Sequence, residues 1–301
     1  MLGRVLEVCE ENRYVSLSRG FVVVQKGTEV LGKVPLDDVA VLLLTAQGIS
    51  LSKNILNALC ERGCITVLCG ANFSPQSMVL PVSGHCFLTK NIKSQINATE
   101  PFKKKIWQQI VIRKIKNQAL VLEMLGKDYV LVSKIASLVK SGDTDNREAY
   151  AAKMYWQILF DKHFRRDRNQ GGINSFLNYG YAVMRASMAR AICSAGLLPS
   201  LGVNHDNNLN PFCLADDFFE IYRPIVDYEV YRLQEEGETD LTPQNKKRLT
   251  ALLWVKVRTK EGNTPVFQSM QYMASSFVHA MEDKTPTIEL PVWEGSNDEE
   301  P

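Results

Sequence analysis

The stretch Gly202 to Asp227, G-V-N-H-D-N-N-L-N-P-F-C-L-A-D-D-F-F-E-I-Y-R-P-I-V-D, sets one of the chain's four histidines about a helix length ahead of three carboxylates. His205 is followed by Asp216, Asp217 and Glu220, which stand among Leu214, Ala215, Phe218, Phe219 and Ile221. Carboxylates beside that much hydrocarbon are costly to ionise unless a cation or a hydrogen-bond network compensates them. Read as a helix from Cys213 to Tyr222, the run puts Asp217 and Glu220, and Asp216 and Glu220, at spacings that share a face. Like charges on one face repel, and a divalent ion bridging them turns that repulsion into a site. Arg223 offers the plainer reading, in which an exposed guanidinium neutralises part of the acidic set. Pro224 is expected to start a new helical segment or bend this one.

Outward from this stretch, helical period continues in both directions. Upstream lie Pro101 to Met124, Asp128 to Leu138, Asn146 to Phe160 and Ser175 to Ala195. Downstream lie Pro243 to Val257 and Pro265 to Met281. Before about Phe87 the pattern changes. Tyr14 to Ser18, Phe21 to Gln25 and Glu29 to Val34 are short β-branched and aromatic runs, the last two separated by Lys26-Gly27-Thr28 as a turn. Val39 to Leu44, V-A-V-L-L-L, and Cys64 to Cys69, C-I-T-V-L-C, read as strands buried on both faces, with Met78 to Val82 as one more. Between them, Ser50 or Ser52 caps a helix through Arg62 that stops at Gly63. The fold class is therefore α+β: a small β-rich, sandwich-like domain over residues 1–86 and a larger all-α domain over residues 87–292. Residues 293–301, W-E-G-S-N-D-E-E-P, form an acidic tail expected to be disordered.

Of 301 residues, 45% are hydrophobic and 23% charged, which suits globular domains with real cores. A net charge of +2 leaves any nucleic-acid surface local rather than global. Seven cysteines without paired C-x-x-C spacing favour reduced thiols over a disulfide frame or zinc site. No signal-peptide pattern or membrane-length apolar run stands out, which points to a cytoplasmic protein.

Basic residues concentrate at one place. Lys103, Lys104, Lys105, Arg113, Lys114 and Lys116 follow one another with no acid until Glu123, a bias that suits phosphate contacts as well as an ordinary solvated face. Arg165, Arg166 and Arg168 add a second cluster. Glu148 opens the helix R-E-A-Y-A-A-K-M-Y-W, where an acid commonly complements the positive helix end. Ala149, Ala151 and Ala152 keep that helix slim, so others can approach it.

Four blocks in order, N-R-E-A-Y-A-A-K-M-Y-W, I-N-S-F-L-N-Y-G-Y-A, G-L-L-P-S-L-G-V-N-H and L-A-D-D-F-F-E-I-Y-R-P-I-V-D, resemble the integrase family of CRISPR adaptation, Cas1, with the D-D and N-Y-G-Y blocks most similar to members from type II systems. Weaker similarity covers nearly the whole chain. The resemblance implies an N-terminal dimerisation domain, a helical catalytic domain, and a homodimer. Two such dimers would flank a dimer of a second adaptation protein, Cas2, in a heterohexamer. By motif position the metal ligands fall on Glu148, His205 and Glu220, and Asp217 on a further acidic position beside them. Some members carry Asp where this chain has Glu220. The implied reaction is endonucleolytic and integrative: 3′-hydroxyl ends of new spacer DNA attack the repeat borders of the CRISPR array on double-stranded DNA.

An imidazole with two carboxylates suits Mn²⁺, or Mg²⁺ with waters completing its shell. Without a thiolate, the set argues against structural zinc. Two other readings compete. His205-Asp206 is literally an H-D pair, as an HD-type phosphohydrolase would need, with His163 and His85 the only upstream histidines. A non-catalytic nucleic-acid-binding scaffold would leave the acids as surface ion pairs.

Overall fold

The computed structural model describes residues 4–70, 75–79, 85–162, 164, 166–167 and 171–295. Within it the chain divides into two compact units, Met1–Leu88 and Thr89–Pro301.

The first unit holds two four-stranded sheets. One runs β1-β5-β7-β8, from Arg4–Val8, Val39–Leu44, Ile65–Cys69 and Pro75–Val79; the other runs β4-β3-β2-β6, from Glu29–Pro35, Phe21–Lys26, Arg13–Ser18 and Ile49–Leu51. β5 lies between parallel neighbours β1 and β7, which is why all six of its residues are apolar and buried. Helix α1, Lys53–Glu61, starts on the Ser52 hydroxyl, which accepts from the Ile55 N–H, and gives way to Gly63 at φ +66°. Val15 and Val22 from the second sheet, Val39 and Leu42 from the first, and Ile55 and Leu59 from α1 form one core. Residues 80–82, part of the expected last strand, lie outside the described residues.

The second unit is built on helices: α2 Leu88–Ile96, whose first residue lies at the boundary, α3 Glu100–Met124, α4 Val130–Ala136, α5 Arg147–Leu159, α6 Ile173–Ser194, α7 Cys213–Phe219, α8 Arg223–Glu235, α9 Pro243–Ala251 and α10 Val266–Glu282. α3 is the pillar of this unit. Its middle is buried nearly all round, because α4, α5, α7 and α8 all pack on it. Gly180 on α6 lets α8 come close: a Cβ there would collide with the Val226 side chain. The expected helix over Pro243 to Val257 stops early. Val255 and Val257 alternate with Lys256 and Arg258, a strand period, and Gly262 at φ +96° helps close the turn into a hairpin of β9 Lys256–Thr259 with β10 Gly262–Pro265. All seven cysteines are free thiols. No described helix is long and apolar enough to cross a membrane.

Candidate metal and phosphate site

Glu148 is placed by the loop before α5. Gly142, Asp143 and Asn146 all take left-handed backbone angles, which curls the chain so that the Asp143 carboxylate accepts the N–H groups of Arg147 and Glu148 at 2.8 and 2.9 Å. This caps the helix and fixes its first turn. Glu220 is placed by the break between α7 and α8. Residues Glu220–Tyr222 form a tight 3-10 turn, and Pro224 opens α8 at a position where its missing N–H costs nothing. The Asn117 side chain on α3 donates to the Ile221 carbonyl at 2.7 Å and ties that turn down.

The two glutamates meet at Lys114. Its ammonium stands 2.5 Å from Glu148 Oε1 and 2.5 Å from Glu220 Oε2, so the two oxygens are separated by at most twice that distance. Glu220 Oε1 accepts from Arg223 Nε at 2.8 Å, and the guanidinium lies over the rings of Phe219 and Tyr181. Burial alone would raise the Glu220 carboxyl, but Arg223 and Lys114 outweigh it and hold it down at about 2. Burial likewise disfavours the Lys114 ammonium, yet Glu220 and Glu148 keep it charged and raise it above its ordinary value.

His205 and Asp217 form the other half. Asp217 is fully buried and accepts four bonds: Val203 N at 2.6 Å and Asn204 N at 3.0 Å on Oδ2, His205 N at 3.1 Å and His205 Nδ1 at 2.6 Å on Oδ1. The loop can wrap the carboxylate this closely because residue 202 is glycine. A Cβ there would come within 2.9 Å of Asp217 Oδ2 and 3.0 Å of the Cys213 side chain. The bond to Asp217 raises the His205 imidazole above its ordinary value. In the neutral ring it assigns the proton to Nδ1 and leaves Nε2 with the lone pair a metal ligand needs. His205 packs edge-on against Trp107, which sits on α3 two turns before Lys114.

Among the described residues no three His, Cys, Asp or Glu side chains are grouped to hold an ion as they stand. Nonetheless the donors suit a hard divalent cation. Glu220 Oε2 is buried and has no hydrogen bond, since Lys114 approaches it off hydrogen-bond geometry. Carboxylates with one imidazole and no thiolate complete a fitting set.

The remaining candidates are placed elsewhere. Asp216 turns away to Arg185, which contacts it at 2.6 Å through both Nε and Nη2, and to Asn210. Asp206 is exposed, whereas the carboxylate bonded to His205 is Asp217, which weighs against an H-D pair. Arg223 does neutralise Glu220, but as a largely buried group rather than an exposed one. Of the basic run, Lys104, Lys105 and Lys116 are exposed, Lys103 and Arg113 half-buried, and Lys114 buried. Lys114 therefore does not belong to an outer phosphate-binding face. Its place was legible in part, because it falls in the apolar stripe of Trp107, Ile110, Val111 and Ile115. Arg113 and Lys116 line a groove of about 550 Å³ together with Arg258 and Lys260 of the β9–β10 hairpin. Arg166 donates to Asn174 and Asn178. Arg165, Arg168 and His163 lie outside the described residues.

One buried cluster escaped the sequence reading. Tyr155 and Tyr181 both donate to the Asp227 carboxylate, Tyr155 at 3.1 Å. Tyr155 follows Glu148 by two turns of α5, and Asp227 follows Glu220 by two turns, so this contact is a second rung between the same two stretches.

The fold is shared with solved structures. A casposase bound to integration product superposes with a TM-score of 0.79 at 19% identity over 94% of this chain and 92% of the other. A Cas1 protein from Thermotoga maritima gives 0.76 at 13% identity over 98% and 100%. The sequence narrows this further. The family "CRISPR associated protein Cas1" matches residues 6–260. A CRISPR-associated endonuclease Cas1 from Neisseria meningitidis serogroup C is 39% identical over 274 residues, 90% of each chain. The chain belongs to the Cas1 family.

Proposed function

We propose that this chain is a divalent-metal-dependent DNA endonuclease and integrase of CRISPR adaptation, a cytoplasmic prokaryotic enzyme from a type II system. The observation that carries the reading is the convergence of Glu148 and Glu220, from separate helical stretches, on a single cationic group. Glu148, His205 and Glu220 are the residues that would hold Mg²⁺ or Mn²⁺, and Asp217 positions the imidazole. Held by these residues, such an ion would supply Lewis-acid polarisation of a phosphate and charge stabilisation on the entering and leaving oxygens.

The chain's own residues hold the donors in register: Asp143 fixes Glu148, Arg223 orients Glu220, and Asp217 fixes the His205 loop. At such a centre one P–O bond forms as another breaks. Water as the entering group gives cleavage; a DNA 3′-hydroxyl gives joining by transesterification, which is the step that inserts a spacer at a repeat border. The endonuclease from Neisseria supports the cleavage half, and the casposase bound to integration product supports the joining half.

Double-stranded DNA and Cas2 are the proposed partners, in keeping with the similar folds of a TtCas1–DNA complex and a Cas6-RT-Cas1–Cas2 complex. Lys103, Lys104, Lys105 and the groove of Arg113, Lys116, Arg258 and Lys260 would grip phosphates without reading sequence. Residues 1–86 are assigned to homodimerisation, and residues 87–292 to catalysis. Exposed Tyr14, Phe21, Val30 and Leu31 on the β4-β3-β2-β6 sheet suit a self-association surface. Two dimers on one Cas2 dimer complete the assembly.

Glu148→Ala tests the reading. Mn²⁺-dependent nicking and joining on a supercoiled plasmid should collapse while DNA binding persists. Undiminished activity in the variant would favour the scaffold reading.

A further inference from the structure

Lys114 lies between two acids, and the reaction outlined above assigns it no task. Its side chain is 8% exposed and that of Glu220 7% exposed. A lysine is rarely buried so deeply without pairing. Glu220 is costly to ionise at that depth unless a cation lies beside it, and Glu148, 27% exposed, adds a second negative charge close by. Arg223 engages Glu220 Oε1, and the Lys114 ammonium contacts Glu220 Oε2 and Glu148 Oε1.

We propose that Lys114 is the built-in counter-ion of the metal-free site, and that a divalent ion binds by displacing its ammonium from between Glu148 and Glu220. The proposal rests on the metal reading above. A compact ammonium on a flexible four-carbon stem can take this role: it offsets the charge of both acids while leaving Glu220 Oε2 without a hydrogen bond, and its stem has the torsional freedom to withdraw. Lys114 thus keeps the acids assembled before an ion arrives, and it competes with that ion for the same oxygens. A metal-free site of this kind remains folded and resists weakly held cations.

The test is Mn²⁺ titration calorimetry on the full chain and its Lys114→Met and Lys114→Gln variants, with melting of each in chelator and in saturating Mn²⁺. Lys114→Met should melt lower than the parent in chelator, bind Mn²⁺ roughly tenfold or more tightly, and regain most of the lost melting temperature with Mn²⁺. Lys114→Gln, which can bond both acids without charge, should fall between them. It carries the same test if Lys114→Met does not fold. Unchanged or weaker Mn²⁺ binding in either folded variant overturns the proposal. If Glu148→Ala nonetheless abolishes Mn²⁺ binding, the metal reading stands and only the role of Lys114 falls. Absence of Mn²⁺ binding to the parent chain removes both.

Discussion

Replacing Asp217 with Asn is the most informative single change, because it keeps the side chain's size while removing half its acceptors. Each carboxylate oxygen receives two donors, Val203 N and Asn204 N on Oδ2, His205 N and His205 Nδ1 on Oδ1. An amide offers one oxygen, so whichever way it is turned, one pair of donors faces an NH₂ group. Two mismatched donors cost roughly 1–3 kcal/mol each if the loop holds still. Little relaxation is available, since Gly202 already brings the loop against Asp217 and Cys213. A loss of about 3 kcal/mol is therefore expected in urea denaturation followed by helical circular dichroism. At about 2–4 °C per kcal/mol for a domain of this size, the melting temperature should drop by roughly 6–12 °C. Mn²⁺ affinity should weaken by roughly 10–100-fold, the usual effect of disturbing a ligand's supporting bond. A stability change below about 0.5 kcal/mol with unchanged Mn²⁺ affinity would refute the reasoning. Complete loss of Mn²⁺ binding, as expected for Glu148→Ala, would make Asp217 a ligand instead of a support.

Other outcomes follow from the same geometry. Burial pushes the Asp227 carboxyl from 3.8 up to about 7, so the unfolded chain releases this proton before the folded one does. Its stabilising contribution is full below about pH 4 and is lost as pH rises to about 7. Asp227→Asn should therefore gain stability relative to the parent across that interval, by up to about 4 kcal/mol at 1.36 kcal/mol per pH unit, as read by denaturation at pH 4, 5.5 and 7.5. Gly180→Ala should destabilise by about 1–2 kcal/mol, as the new methyl group meets buried Val226 and outweighs the gain in helix propensity; a more stable variant would mean that α6 and α8 can part freely. Lys116→Ala combined with Lys260→Ala should weaken duplex binding and reduce the log–log salt slope by about two, measured by fluorescence anisotropy across salt concentrations.

Much of the fold was legible because single segments carried it. Val39–Leu44 is apolar at every position, and only a strand covered on both faces requires that. Ile49–Leu51 was not legible: three residues hold no period, and the strand exists because it pairs with Arg13, Tyr14 and Val15. The residues after Ala251 misled because Leu252, Leu253 and Trp254 do continue the coil as a 3-10 turn before the strand alternation begins. At the proposed site, spacing singled out the pairs Asp217–Glu220 and Asp216–Glu220, while Glu148 stood out only through the family resemblance. Lys114 was hidden among chemically identical neighbours in the basic run, and only its angular position on α3 separates it from Lys116. Tyr155, Tyr181 and Asp227 looked like ordinary helix residues, since their meeting depends on how α5, α6 and α8 cross.

The second rung has a mechanical consequence. With Lys114 bridging Glu148 to Glu220 at one level and Tyr155 bonded to Asp227 two turns along, α5 and α8 are pinned at two heights and cannot slide or pivot independently. An ion that took the place of Lys114 would release the upper pin but not the lower, so the proposed metal site would still be held at its base by the Tyr155–Asp227 bond.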